Sequence, residues 1–126
     1  MLPIIARWTI LEGKREPALA ALRELAREVE DKEPFVPMYT IHTPDFTQTS
    51  YPTPPANEVI FLSVFDSHEA FEKHFKGLFQ QWLDKYKDLF LVNSGNLFVV
   101  SEWLHREAGF IRQSMVTGKA DSTGRK

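Results

Sequence analysis

Four histidines, at positions 42, 68, 74 and 105, are the natural proton carriers of this chain, because imidazole exchanges a proton near neutral pH. His74 falls at helical spacing among Ala70, Phe71, Phe75 and Leu78, so it points toward an apolar interior. A histidine there is either a hydrogen-bonded core residue or a general base kept dry. His42 stands near the end of a short β-prone run, beside a long loop, with Tyr39 on the other face of that run. Ser63 interrupts an otherwise apolar strand, as a hydroxyl bonded to backbone or as a donor to a ligand. Trp82, Tyr86 and Trp103 could stack on a planar ligand or simply pack together. His68, at a helix start, and His105, after the last strand, read as exposed.

Other chemistries have no carrier. The sequence contains no cysteine, which excludes a disulfide framework, a thiolate metal site and a cysteine nucleophile. It has no glycine-rich phosphate loop, no His-Glu-x-x-His and no nucleophile-elbow serine. A formal charge of −2 gives no electrostatic reason to expect a nucleic acid. The apolar runs are too short to span a membrane. Met1 to Arg7 lacks the pattern of a signal peptide, so a cytoplasmic location is expected.

The elements that position these residues follow from periodicity and breakers. Ile4 to Leu11 reads as a first strand, ended by Gly13. Leu19, Leu22, Ala26 and Val29 predict a helix from about Glu16 to Asp31, stopped by Pro34. Phe35 to Thr43 is a second strand, with Pro37 marking an edge or a bulge. Residues 44–57 hold four prolines and no period; their Phe46 and Tyr51 either close over a pocket or ride on a tethered surface loop.

Glu58 to Phe65 is a third strand, and Asp66 is expected to cap the second helix. That helix carries an apolar face from Ala70 to Tyr86 and bends or restarts near Gly77. Asn93 to Asn96 is a turn, Leu97 to Leu104 a fourth strand, and residues 113–126 a polar, disordered tail. The order is β-α-β-β-α-β over residues 1–112, a ferredoxin-like α+β domain with a four-stranded antiparallel sheet and helices on one face.

Two helices cover one face of such a sheet, yet the third strand is apolar on both: Val59, Phe61 and Phe65 against Ile60, Leu62 and Val64. Leaving the second set in water forfeits about 1.5–3 kcal/mol per large side chain. A second copy laid on the open face, giving a homodimer, is the economical cover.

This order and several stretches resemble the antibiotic-biosynthesis monooxygenase (ABM) family of the dimeric α+β barrel superfamily. The stretches are Ala6-Arg7-Trp8-Thr9-Ile10 with Gly13-Lys14, and Glu33-Pro34-Phe35 leading to Tyr39-Thr40-Ile41-His42. The most specific is Val64-Phe65-Asp66-Ser67-His68-Glu69-Ala70-Phe71-Glu72-Lys73-His74; Gly109-Phe110-Ile111-Arg112 resembles the end of some members. Two positions depart from the family pattern: Phe35, where glycine is frequent, and Ser63, where glutamate is frequent.

The resemblance implies a dimeric α+β barrel with a pocket between helices and sheet. It implies a monooxygenase that acts with dioxygen on a quinol or polyphenolic aromatic and needs no cofactor and no metal. His74 is then the first candidate base and His42 the second. Tyr39 or Ser63 is the hydrogen-bond donor, and Phe61, Phe71, Trp82, Tyr86 and Trp103 are the substrate-binding rings. Two other functions compete. A non-catalytic or cyclase-like binder of aromatic ligands fits the missing strand glutamate. A haem-binding or haem-degrading protein would use His74 as axial ligand, but such relatives pair it with a first-strand asparagine, where this chain has Arg7-Trp8.

Overall fold

A computed structural model describes residues 1–91, 100–112 and 120. In chain order the elements are β1 (Leu2–Thr9), α1 (Arg15–Lys32), β2 (Met38–His42), β3 (Glu58–Phe65), α2 (His68–Lys76), α3 (Leu78–Tyr86) and β4 (Val100–Trp103). A single 3-10 turn, Lys87–Leu89, follows α3. The strands form one antiparallel sheet in the order β2-β3-β1-β4, the expected β-α-β-β-α-β topology. The expected turn at 93–96, the first residues of the expected fourth strand and the tail 113–126, Ala120 apart, lie outside the described residues.

α1 buries the stripe Ala18, Ala21, Leu22, Leu25, Ala26 and Val29. It begins after a turn in which Gly13 has φ +80°, a conformation open to glycine at no steric cost. Glu33 closes the helix, its N–H donating to the Val29 carbonyl at 3.0 Å. The cap of α2 corrects the sequence reading: Ser67, not Asp66, accepts the Ala70 N–H, at 3.1 Å. Only Ser67 has extended backbone one residue before the helix, which is where a cap acts.

The second helical region is two helices, as the glycine suggested. Gly77 turns at φ −102°, ψ −107°, and a β-carbon there would stand 2.7 Å from the Lys73 carbonyl oxygen. The close approach, rather than a left-handed backbone, requires glycine.

β2 is shorter at its start than expected, because the Val36 N–H donates back to the Glu33 carbonyl (3.0 Å) and residues 33–36 form the exit turn of α1. β1 begins earlier, with Leu2 paired to Phe65. Beyond its end, Ile10 bridges to Phe90.

Even-numbered residues of β1 and odd-numbered residues of β2 and β3 face the helices. Trp8, Ile10, Val59, Phe61, Phe79, Trp82 and Phe90 form the main core with the α1 stripe, and a second cluster gathers Ile4, Phe65 and Ala70. The uncovered face carries Ile5, Ile60, Leu62, Val64 and Met38, together with an Arg7–Glu58 ion pair at 3.2 Å. Both faces of β3 are thus apolar, as the sequence predicts. The Pro-rich loop does not fold its aromatic residues inward: Phe46 is exposed and Tyr51 is 93% exposed. No helix among the described residues is long and apolar enough to cross a membrane.

Candidate functional site

Three polar side chains are buried among the described residues: Glu33, Ser63 and His74. Glu33 and His74 meet directly, and Ser63 lies beside their partner Tyr39 in the sheet. His74, 4% exposed, lies in the last turn of α2 and donates its Nδ1–H to Glu33 Oε1 at 2.5 Å. Its Nε2 lies 3.3 Å from the hydroxyl of Tyr39, which β2 presents to the helices. Ser63 is the register partner of Tyr39 on one side and of Ile4 on the other, and Ile4 in turn pairs with Trp103. One row, Tyr39–Ser63–Ile4–Trp103, therefore crosses the helix-facing side of the whole sheet.

A carboxylate accepts and cannot donate, which fixes the proton of a neutral imidazole on Nδ1 and leaves the Nε2 lone pair to accept from the Tyr39 O–H. If the imidazole takes a second proton, the same geometry holds with Nε2–H donating to the tyrosine oxygen. The heavy atoms of the line Glu33–His74–Tyr39 serve both forms, with the Tyr39 hydroxyl hydrogen turning away when Nε2–H becomes the donor. Burial, reinforced by the nearby Glu33 carboxylate, pushes the Tyr39 phenol well above the ordinary tyrosine range. Tyr39 is thus held in its protonated, donating form.

Aromatic rings enclose this line. The centroids of Tyr39, Phe65 and Phe79 lie 5.2, 5.3 and 5.4 Å from that of His74. Phe61 packs on Tyr39 at 6.2 Å and on Trp8 at 5.4 Å. The interior that the resemblance assigns to a pocket is filled by these rings. Shallow depressions occur instead on the solvent sides of α1 (Glu24, Arg27, Glu28, Asp31) and α2 (Glu69, Glu72, Lys73, Lys76). Among the described residues no three His, Asp or Glu side chains converge as a metal-holding group.

The structure brings His74, Tyr39, Ser63 and Phe61 together, with Phe71 and Trp103 at their edge. It does not bring His42 to them. Strand alternation puts His42 on the uncovered face, exposed and 3.0 Å from Thr40 Oγ1. Trp82 and Tyr86 lie behind Phe79: the Trp82 Nε1–H donates to the Ala21 carbonyl at 2.7 Å, and Tyr86 packs on Trp82 at 5.8 Å. His68 is exposed, as expected, against the edge of Trp103. The residue that sequence reasoning passed over as a participant is Glu33, which supplies from the end of α1 a carboxylate that Ser63 does not offer from β3.

No protein-family model matches the sequence, and no curated protein matches it. Solved structures do. A crystal structure of an antibiotic biosynthesis monooxygenase superposes with a TM-score of 0.65 at 16% identity, covering 84% of this chain and 98% of that one. A Bacteroides thetaiotaomicron protein, provisionally assigned as an antibiotic biosynthesis monooxygenase, gives 0.68 at 14% identity over 88% and 93%. A Nitrosomonas europaea protein with the same provisional assignment gives 0.64 at 12% identity over 84% and 89%. At such identities the shared property is the fold.

Proposed function

We propose that this chain, which carries the fold of the antibiotic biosynthesis monooxygenases, is a cofactor-independent monooxygenase acting with dioxygen on a quinol or polyphenolic aromatic. It works in the cytoplasm as a homodimer closed through the uncovered sheet face. The observation that carries the reading is one proton line, Glu33–His74–Tyr39, which joins two buried polar side chains to a half-buried phenol inside an aromatic wall.

An electron-rich phenol becomes a reductant of dioxygen once it loses its proton, so the task of the protein is deprotonation in a dry site. Tyr39, the half-buried member, is the group that touches the substrate hydroxyl. Its disfavoured phenolate makes the transfer concerted: Tyr39 takes the substrate proton as its own passes to His74 Nε2, and Glu33 holds the resulting imidazolium.

The phenolate then gives one electron to dioxygen. Radical recombination forms a carbon–oxygen bond, and the hydroperoxide loses water to leave a carbonyl. A ring CH2 and O2 become C=O and H2O, so atoms and electrons balance. Tyr39 and Ser63 are the donors to the developing oxyanion, and Phe61, Phe71 and Trp103 are the ring contacts. Trp82 and Tyr86 serve as packing behind Phe79.

Oxygen uptake with anthrone and 1,4-dihydroxynaphthalene tests the reading. Wild type is expected to consume oxygen, and folded His74→Ala to lose turnover by about 100-fold or more. Unchanged turnover in His74→Ala removes the histidine from the mechanism. Fluorescence quenching by these ligands with no oxygen uptake by wild type selects the non-catalytic binder instead. Sedimentation is expected to give twice the 14.6 kDa chain mass, and a species of 14.6 kDa removes the homodimer.

A further inference from the structure

With its imidazole ringed on all the sides described above, His74 is out of reach of any substrate until a side chain moves. Phe65 and Phe79 are buried in the core and cannot leave it cheaply. Phe71, one turn before His74 on α2, is different. It is only partly buried and stands between the inside and the outside of the cage. Inward it meets the edge of Phe65 at 5.3 Å with the rings at 89°. Outward it meets Trp103 at 4.9 Å and 75°, and it stacks on Phe75 at 5.6 Å and 26°. Those two outer rings face water: Phe75 is 45% exposed and Trp103 42%.

The floor beneath this side sets three small residues, Ser63, Ala6 and Ser101, among the larger Ile4 and Phe61. Ser63 and Ile4 separate Tyr39 from Trp103 in one row of the sheet, and the next row runs Ile41–Phe61–Ala6–Ser101. Ser101 is exposed and Ala6 only partly covered. A rotation of Phe71 about its side-chain bonds would open a ring-shaped space that reaches from Trp103 to Phe65, the ring in contact with His74.

We propose that Phe71 is a displaceable aromatic plug, and that a planar aromatic molecule takes its place between Trp103 and Phe65, approaching Tyr39 from the β4 side. The guest must be aromatic because it replaces two edge-to-face ring contacts, which an aliphatic molecule forfeits. The place it takes is one ring thick, since Phe71 stands 4.9 Å from Trp103 and 5.3 Å from Phe65, so the guest must be flat. Phe71 thereby sets both the rate of access and the width of substrate admitted. The oxidation that follows rests on the monooxygenase reading; the binding step does not.

Stopped-flow quenching of tryptophan fluorescence by menadione, a fused-ring quinone that finds no thiol in this cysteine-free chain, measures the step directly. Phe71→Ala is expected to raise the association rate constant about tenfold, because binding no longer waits for the ring to swing. Phe71→Leu, which keeps most of the volume but none of the ring contacts, should raise it about threefold and serves if the alanine variant does not fold. A merely structural role would slow association or leave it unmoved. Equal rate constants in wild type and folded variants, or no quenching by menadione in wild type, overturns the plug. If the rates respond as expected while the matching quinol draws no oxygen uptake, the monooxygenase reading fails and the plug stands. Normal oxygen uptake with rates indifferent to Phe71 gives the reverse.

Discussion

Trp82 and His74 occupy comparable positions. Each sits on the sheet-facing side of the second helical region, each is ringed by aromatics, and each buries a polar nitrogen. They differ in what those nitrogens meet. The Trp82 N–H ends on a backbone carbonyl of α1, a partner that neither gives nor takes a proton. The His74 nitrogens end on a carboxyl and a phenol, both of which can. Burial alone therefore does not mark a working residue. A buried polar group whose partners are main chain ties elements together, whereas one held between ionisable side chains forms a path.

The sharpest way to break this contrast is Glu33→Gln. The amide keeps the volume of the carboxyl but cannot balance an imidazolium, so quinol turnover should fall by about 100- to 10,000-fold, or roughly 3–5 kcal/mol of barrier. Steady-state oxygen uptake checks it, and turnover within threefold of wild type would reduce Glu33 to a packing partner. Trp82→Phe probes the other side. Loss of the N–H removes a side-chain bond to the Ala21 carbonyl, which α1 still pairs, and the smaller ring leaves a void, at a combined cost of about 1–3 kcal/mol. Thermal unfolding should show the drop, with a larger effect on Tm than on turnover; the opposite pattern would move Trp82 into the site.

The smallest effect is expected at alkaline pH. Since the folded Tyr39 phenol loses its proton less readily than the unfolded one, the native state binds more protons once the pH passes about 10, and stability falls as pH rises further. Below that pH the contribution is flat. Wild type should lose up to about 1.4 kcal/mol per pH unit more than Tyr39→Phe in this range. Parallel unfolding curves for the two proteins at pH 9 and 11 would show that Tyr39 is not held protonated.

Much of the scaffold was legible because local rules and tertiary needs agree. The limits of β3 are those read from its apolar run, and α1 departs by one residue at each end, since its period and its Pro34 stop act locally. The opposed faces of Tyr39 and His42 follow from strand alternation, and that same rule separates the two candidate bases. The start of β2 was misread because Phe35 and Val36 are good strand formers drawn into the exit turn of a helix. Within the site, His74 and Tyr39 announce themselves as polar groups on apolar faces. Glu33 does not, for its partner lies 41 residues away. One local signal was available: an anion at the C-terminal end of a helix opposes the helix dipole and is tolerated best when another group compensates it.

The interruption at Gly77 has a geometrical consequence for both halves of that contrast. On one straight cylinder, residues eight apart diverge by about 80° around the axis, so His74 and Trp82 could not be aimed independently. Because the Lys73 carbonyl closes in where a β-carbon would stand, the helix axis restarts at this point. Each segment then takes its own bearing, one turning an imidazole toward the end of α1 and the other fastening an indole to its middle.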